Sequence, residues 1–171
     1  MKQIETDICI IGGGSGGLSL AAGAVQVGAR VVLFEGGQMG GDCLNSGCVP
    51  SKALLAAAKA AYLANGNAAM GITNNPPNID FAAVKAHVAD VIAQIEPHDS
   101  IARFEALGVT VIPEKAHFTS PRTVASATHQ VRAKYIVIAS GSQPVLPLIQ
   151  GLDQTDFYNN ETIFADPEKP R

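Results

Sequence analysis

The sequence predicts an α/β fold in which a parallel sheet packs against helices and a small antiparallel meander is inserted late in the chain. Three observations carry that expectation. The unbroken apolar runs Asp7-Ile8-Cys9-Ile10-Ile11 and Tyr135-Ile136-Val137-Ile138-Ala139 have the composition of parallel strands buried on both faces. Helical stretches alternate with strand-like ones after the first run, as in βαβ units. From Val109 the hydrophobic period falls to two over several short runs separated by polar turns. A chain of 171 residues can bury one good core, and nothing in it demands a second.

The first run leads directly into Gly12-Gly13-Gly14-Ser15-Gly16-Gly17, which satisfies Gly-x-Gly-x-x-Gly. An Ala-rich helix is expected from Leu18 to about Val27, ended by Gly28, and Arg30-Val31-Val32-Leu33-Phe34-Glu35 reads as the next strand. Glycine-rich turns are common, so the motif alone says little. Here it follows a strand, opens a helix, and has an acidic residue closing the second strand about twenty residues on, the arrangement of a dinucleotide-binding fingerprint. Gly12 permits the tight turn, Gly14 lets backbone approach a pyrophosphate, and Gly17 lets helix and strand pack closely. Phosphates then meet the helix N-terminus, and Glu35 accepts hydrogen bonds from a ribose hydroxyl. Glu35 also disfavours a 2′-phosphate there, since like charges would meet. The plainer reading is a βαβ unit with no nucleotide. Cys9, inside the first strand, is expected to be a packed core thiol without a role in chemistry.

The most distinctive stretch is Gly40 to Lys52, Gly-Gly-Asp-Cys-Leu-Asn-Ser-Gly-Cys-Val-Pro-Ser-Lys. The Ala/Leu-rich run after it has helical composition, and Pro50 suits a first turn, where a missing N–H costs nothing. Cys48 therefore falls at or just before a helix N-terminus, whose unsatisfied N–H groups and positive dipole end favour a thiolate. Cys43 lies on the loop feeding that helix, close enough in sequence for a small disulfide ring. The alternatives are a structural staple, half of a metal site, or two thiols that never pair. A staple is disfavoured by the lack of any export signal, and zinc by the spacing and the missing second ligand pair. The surrounding glycines, proline and helix favour a working redox pair.

Further on, Gly66 and Gly71 are expected to end the cysteine-bearing helix and Asn74 to Asn78 to form a loop. Asp80 is placed to cap a second helix, whose Phe81, Val84, Val88, Val91 and Ile95 recur on one stripe. Pro97 is expected to kink or interrupt it, with Ile101, Phe104 and Leu107 continuing the apolar face to Gly108. Val109-Thr110-Val111-Ile112, Ala116-His117-Phe118, Thr123-Val124-Ala125 and Val131-Arg132-Ala133 read as separate short strands. His87, His98, His117 and His129 show no metal spacing. A net charge of −3 and a pI near 5.7 argue against nucleic acid or an anionic membrane surface as partner. No apolar run reaches membrane-spanning length, and the start passes directly into a strand pattern rather than a signal peptide. The three cysteines then suggest a reducing, cytoplasmic compartment.

With the glycine fingerprint, Glu35, the Cys43/Cys48 stretch and the Ala139-Ser140-Gly141-Ser142 turn together, the chain closely resembles the flavin-dependent pyridine nucleotide–disulfide oxidoreductases. Dihydrolipoamide dehydrogenase, mercuric reductase and glutathione reductase belong to that family. The resemblance runs over essentially the whole chain and implies a Rossmann-like FAD/NAD(P)-binding three-layer fold with FAD as cofactor. It implies that the pyrophosphate lies on Gly12, Gly14, Ser15 and Gly17, the adenosine ribose on Glu35, and the flavin ring against the cysteine-bearing helix. Cys43 matches the interchange thiol that attacks substrate, and Cys48 the thiolate that relays electrons to the flavin. Lys52 matches the lysine near the flavin's reactive nitrogen. Ala116 and His117 match the segment near the adenine, and Ala139, Ser140 and Gly141 a turn approaching the cofactor. Gly36, Gly41 and Asp42 complete the implied cofactor contacts.

Pro50-Ser51-Lys52 resembles the dihydrolipoamide dehydrogenase and mercuric reductase branches more than glutathione reductases, which commonly have a second lysine at Ser51. Asp42 stands where the family frequently has Thr. The resemblance implies a small dithiol or disulfide substrate, with dihydrolipoamide favoured over a metal ion, NAD(P)H as electron partner, and a homodimeric full-length enzyme. The family continues with a nicotinamide-binding domain and an interface domain carrying a His-Glu pair, whereas this chain has one glycine fingerprint. Residues 1–160 are accordingly expected to be an incomplete FAD-binding domain and 161–171 a linker toward the nicotinamide domain. Alone, such a piece should turn over little. A non-catalytic redox-sensing FAD module and an NAD-binding dehydrogenase domain are the competing readings, and the second leaves Cys43 and Cys48 unexplained.

Overall fold

The computed structural model describes residues 1–165, with Ala68 described by its backbone alone. Residues 166–171, most of the expected linker, lie outside the described residues. In chain order the elements are β1 (Lys2–Ile11), α1 (Ser15–Gln26), β2 (Val31–Phe34), α2 (Gly41–Asn45), α3 (Cys48–Ala64), β3 (Gly66–Asn67), β4 (Ile72–Thr73), α4 (Phe81–Asp99), α5 (Ile101–Ala106), β5 (Thr110–Ile112), β6 (His117–Ser120), β7 (Thr123–Ala125) and β8 (His129–Ile138). They divide into two compact units. One takes Met1–Asn45 and Ile95–Gln143, the other Ser46–Gln94 and the chain from Pro144.

The first unit is built on a six-stranded sheet in the order β5-β2-β1-β8-β7-β6. The first four strands run parallel, and β8-β7-β6 is antiparallel. The expected α/β class with a parallel-dominated sheet and a meander is what the chain adopts. Its alternating side chains separate two buried clusters. Ile10, Val31, Leu33 and Val111 pack with Leu18, Ala21 and Ala24 of α1 and Phe104 of α5. Cys9, Val32, Phe34 and Ile112 pack instead with Val124, Val131 and Ala133 from the meander. Burial on both faces explains the unbroken apolar run of β2. Cys9 is the core thiol expected, fully buried, with its pKa pushed up to about 12 by that burial.

Two strand expectations need correcting. Val131-Arg132-Ala133 and Tyr135 to Ala139 are not separate strands. Both lie in β8, which pairs with β1 in register from Lys2↔His129 to Ile11↔Ile138. Its first half also carries β7, through Thr123↔Arg132 to Ala125↔Gln130. The meander is therefore continuous with the main sheet. Beyond Ala133, the outer edge of β8 has no strand partner among the described residues, and Tyr135 and Ile138 are 69% and 68% exposed. β1 likewise begins earlier than its apolar run, because Lys2 to Thr6 pair with β8 alone.

Helix boundaries follow local chemistry. Gly28, with φ +83°, ends α1, its N–H donating to Val25 O at 3.0 Å. Asp80 Oδ1 accepts from Ala83 N at 3.1 Å, the expected cap of α4. Pro97 does not break that helix. It stands in the last turn, and the interruption comes at Ser100, whose Oγ donates to Pro97 O and accepts from Arg103 N to start α5. Val88 is buried and Phe81, Val84, Val91 and Ile95 are half-buried, so the predicted stripe holds, while Leu107 is exposed. In the second unit, Gly66 (φ +77°) turns the chain after α3 into the small β3–β4 hairpin. No helix among the described residues is long and apolar enough to cross a membrane.

Asp7 ties three strands together. Its carboxylate accepts from Arg30 N (3.0 Å) and Arg30 Nε (3.2 Å) before β2, and meets Lys134 Nζ of β8 at 2.7 Å. Hydrogen bonds from Arg30 and Lys134 hold its carboxyl well below the usual carboxylate range. Hydrogen bonds from Ser126 and Thr128 likewise lower Glu114 from 4.5 to about 2, tying the end of β5 to the β7–β8 turn. Both folded values are depressed, so the stability these groups contribute is present above the unfolded-state values and lost as pH falls through the folded ones. Thermal melts should therefore show stability falling between about pH 4.5 and 2. Asp7→Asn should lower stability at neutral pH and flatten that decline, and an unchanged slope would refute the assignment.

Gly17 supplies the second test. A Cβ there would stand 1.8 Å from Gly12 O, whereas one on Gly16 meets nothing within 4 Å. Gly17→Ala is expected to cost about 1–3 kcal/mol in denaturant unfolding as the turn is forced away. Gly16→Ala should be neutral or stabilising by about 0.5–1 kcal/mol.

Candidate functional site

The site assembles at the C-terminal ends of the parallel strands of the first unit, the edge at which open α/β sheets bind ligands. Backbone hydrogen bonds gather the loops there. Gly12 N donates to Phe34 O (2.8 Å), Glu35 N to Ile112 O (3.0 Å) and Ala139 N to Ile11 O (2.8 Å). Gly12 has φ +115°, and a Cβ on it would lie 2.2 Å from Ala139 O. Only glycine fits this left-handed turn between β1 and the chain leaving β8. Gly17 then brings the first turn of α1 directly over Gly12. The N-cap of α1 is Gly14, which brings no side chain of its own to the first N–H groups, and Ser15 is exposed as the first residue of the helix.

Around this turn the structure brings several predicted residues together. Glu35 Oε2 accepts from Gly13 N at 2.5 Å and Oε1 from Gly37 N at 2.6 Å. The carboxylate thus braces the turn itself, and each oxygen keeps acceptor capacity for a further hydroxyl. Gly36 lies against Lys115, whose Cγ would be 2.4 Å from a Cβ on Gly36. That contact sets the stretch through Ala116 and His117 beside the end of β2. Ala116 packs on the second core cluster, and His117 is exposed at the start of β6. Gly40 N donates to Gly13 O (2.9 Å), and Gly14 and Gly40 form a parallel bridge. Gly41 follows, with φ +55°, and a Cβ on it would stand 2.8 Å from Gly14 Cα. Asp42 and Cys43 come next in α2, the first exposed and the second half-buried. Ser140 and Gly141 are exposed beyond β8.

One contributor has no counterpart among the expected site residues. Asn45 Nδ2 donates to Met39 O (3.1 Å) and Gly41 O (2.8 Å), closing the 39–45 loop on itself. Its place in the Cys-x-Asn part of the motif was the available signal.

Cys48 and Lys52 belong to the second unit. Cys48 is the first residue of α3, after the N-cap Gly47, as the sequence suggests. Both are exposed, and their i, i+4 spacing puts them on one face of the helix, with Pro50 and Ala53 buried. A depression of about 360 Å³ lies at the opposite edge of the first unit's sheet. It is lined by Thr6, Arg30 and Thr110 among others, and its buried hydroxyl is already committed, since Thr6 Oγ1 donates to Arg30 O at 2.7 Å.

The residues present fit a dinucleotide diphosphate: a backbone cradle that Cβ atoms would fill, a helix start whose N-cap is glycine, and a carboxylate at the end of β2.

Residues 6–170 match the family described as pyridine nucleotide-disulphide oxidoreductase. A mercuric reductase of Bacillus cereus is 32% identical over 166 residues, covering 97% of this chain and 26% of that protein. A mercuric reductase of Streptomyces lividans is 36% identical over 178 residues (99% and 38%). A dihydrolipoyl dehydrogenase of Pseudomonas aeruginosa is 36% identical over 162 residues (86% and 34%). The chain thus spans between about a quarter and two fifths of the length of these relatives. Among solved structures, the Cu(II) complex of the HOCl-induced flavoprotein disulfide reductase RclA of Escherichia coli superposes with a TM-score of 0.74 at 24% identity, over 92% of this chain and 33% of that one. That likeness speaks for the fold. The family match reaches from the first buried strand through the cysteine stretch to the penultimate residue, and the chain belongs to the pyridine nucleotide–disulphide oxidoreductases.

Proposed function

We propose that these residues are the FAD-binding part of a flavin-dependent disulfide oxidoreductase whose redox pair is Cys43 and Cys48. One observation carries the reading: the loop leading into Cys43 is hydrogen-bonded to the glycine turn through Gly40 and Gly13. A nucleotide diphosphate held on that turn is then anchored at the root of the cysteine segment. Gly12, Gly14, Ser15, Gly17 and Gly41 would hold the diphosphate on backbone, Glu35 and Gly36 the ribose, and Ala116 and His117 would border the adenine. Ala139, Ser140 and Gly141 would flank the cofactor from the end of β8, with Lys52 beside the flavin on the Cys48 face of α3. Bound there, FAD would supply two-electron transfer to and from the sulfur pair.

The sulfur chemistry belongs to the chain. A substrate thiolate attacks Cys43 of the Cys43–Cys48 disulfide, and Cys48 leaves as a thiolate. The second substrate thiol then attacks the mixed disulfide and releases Cys43. One disulfide is reduced while two substrate thiols are oxidised, with one proton kept on Cys43 and one released. A start-of-helix position suits Cys48 to the leaving role, because N-terminal N–H groups favour an anion. Pro50-Ser51-Lys52 suits the dihydrolipoamide dehydrogenase and mercuric reductase branches alike, and a dihydrolipoamide-like dithiol is the substrate we favour. The mercuric reductases among the relatives support a second reading, in which the two thiols deliver Hg(II) for reduction. NAD(P)H binding and acid–base groups at Cys43 would come from the portion of the relatives' length that these residues do not span, as would most of a homodimer contact. Residues 1–160 would then be the flavin domain and 161–171 the linker of a cytoplasmic enzyme, with little turnover from the 171 residues alone.

The test is the complete gene product. It should purify yellow and develop a long-wavelength thiolate–flavin absorption on two-electron reduction, and Cys48→Ser should abolish that band. A colourless protein that does not take up FAD would sink the proposal. Dihydrolipoamide oxidation measured against NADPH-driven Hg(II) reduction separates the two substrates. Asn45→Ala, which removes two backbone hydrogen bonds, should cost about 1–2 kcal/mol in unfolding and weaken FAD binding.

A further inference from the structure

We infer that the outer edge of β8 from Tyr135 to Ile138 is a docking site for one further strand, parallel to β8 and apolar on both faces, supplied by the same polypeptide from outside residues 1–171. The inference rests on the reading of these residues as part of a longer enzyme and adds to it the place and geometry of one junction. The first half of β8 has β1 on one edge and β7 on the other. Beside β7, Ala133 N donates outward to Arg122 O at 3.0 Å. From Tyr135 to Ile138 the ladder with β1 continues, Ile8↔Tyr135 to Ile11↔Ile138, while among the described residues no strand lies on the other edge. A parallel strand directs its backbone groups to its two edges in turn, so alternate N–H and C=O groups here face outward without a ladder partner. The side chains tell the same story. Tyr135 stands opposite Ile8, which packs with the α1 cluster, and Ile138 opposite Ile11, which packs with the meander cluster. They lie on opposite faces of the sheet, and they are 69% and 68% exposed.

An open edge and two uncovered faces at the same residues select the occupant. A second copy related by a two-fold axis would set β8 against itself antiparallel. That pairing fills the edge but does not of itself bring a layer over Tyr135 or Ile138. A parallel neighbour reaches its place only through a crossover of about a dozen residues or more, usually a helix lying on a face of the sheet. One covalent segment then supplies edge and cover together. Tyr135-Ile136-Val137-Ile138 has the composition of a strand covered on both sides, as parallel strands are. The new strand would extend the parallel order β5-β2-β1-β8 by one member. Length for such a crossover exists among the relatives, since this chain spans 26% of the Bacillus cereus protein and 38% of the Streptomyces lividans one.

Photo-crosslinking in the complete gene product tests this without turnover. Tyr135 is replaced by photoreactive p-benzoylphenylalanine, which keeps an aromatic ring on the same face, and the purified, folded protein is irradiated. The crosslinked peptide should come from outside residues 1–171 of the same chain, in a product of monomer mass on a denaturing gel. Amide-resolved hydrogen exchange of the unsubstituted protein should show Tyr135 to Ile138 all as slow as Val131 and Ala133, rather than slow and fast in alternation. A crosslink at dimer mass would assign the edge to a second copy. That result, a crosslink confined to residues 1–171, no crosslink, or alternating fast amides would each overturn the inference, with the flavin reading judged separately by FAD uptake. The expected crosslink in a protein that takes up no FAD would support the inference and overturn the flavin reading alone. A gene product comprising residues 1–171 only would overturn the longer enzyme, and this inference with it.

Discussion

The close approach of the first turn of α1 to Gly12 is the constraint from which the rest of the first unit follows. With 1.8 Å between a Cβ on Gly17 and Gly12 O, no side chain can stand between helix and turn. That contact fixes the helix start above the C-terminal edge of the sheet. Once the turn is fixed, Gly13 presents its N–H to Glu35 and its carbonyl to Gly40, so two further loops are held by hydrogen bonds rather than by hydrophobic packing. The cysteine segment inherits its position from the second of these. The chemistry proposed for Cys43 thus depends on a glycine near the start of the chain, and the route between them is almost entirely backbone.

Loops gathered by backbone need a rigid base, and the sheet supplies it by unlike means at different places. At the gathered edge, β1, β2, β5 and β8 are bound by ladder hydrogen bonds and buried side chains. Lower down, where β1 has lost β2 as a partner, Asp7 takes over by holding Arg30 on one side and Lys134 on the other. Glu114 does the corresponding job between β5 and the β7–β8 turn. These ties are partly exposed, so salt screens them and protonation removes them. The contact of Gly17 with Gly12, by contrast, is a steric fit that neither salt nor protonation alters.

Much of this was legible because the physics is local. Strand, glycine turn, helix and acidic residue occur consecutively, and each signature predicts one element, as does the Asp80 cap. Cys48 at a helix start was readable from Pro50 and the alanines after it. What could not be read depends on partners distant in sequence. β8 looks like two strands because its first half alternates buried Val131 and Ala133 with exposed Arg132 and Lys134, whereas its second half is continuously apolar. Only the register with β1 shows that one strand serves two environments. The polar start of β1 is a strand solely because β8 lies beside it. Asn45 spends its side chain on backbone carbonyls, which leaves no hydrophobic pattern to detect, and β3 and β4 are too short to have a period.

The apolar second half of β8 also separates what a sequence encodes from what 171 residues can bury. A run such as Tyr135-Ile136-Val137-Ile138 has the composition of a strand covered on both faces, yet Tyr135 and Ile138 are largely exposed and the outer ladder stops at Ala133. Val145, Leu146, Leu148 and Ile149 show the same excess in the second unit. Hydropathy records the environment in which a segment was selected, and it is satisfied here where β2 and β1 pass and left unsatisfied at the far side of β8. An exposed apolar edge with open backbone groups is costly to keep in water. The sheet is therefore well packed at the strands that build the glycine turn and, among the described residues, less covered along the outer side of β8.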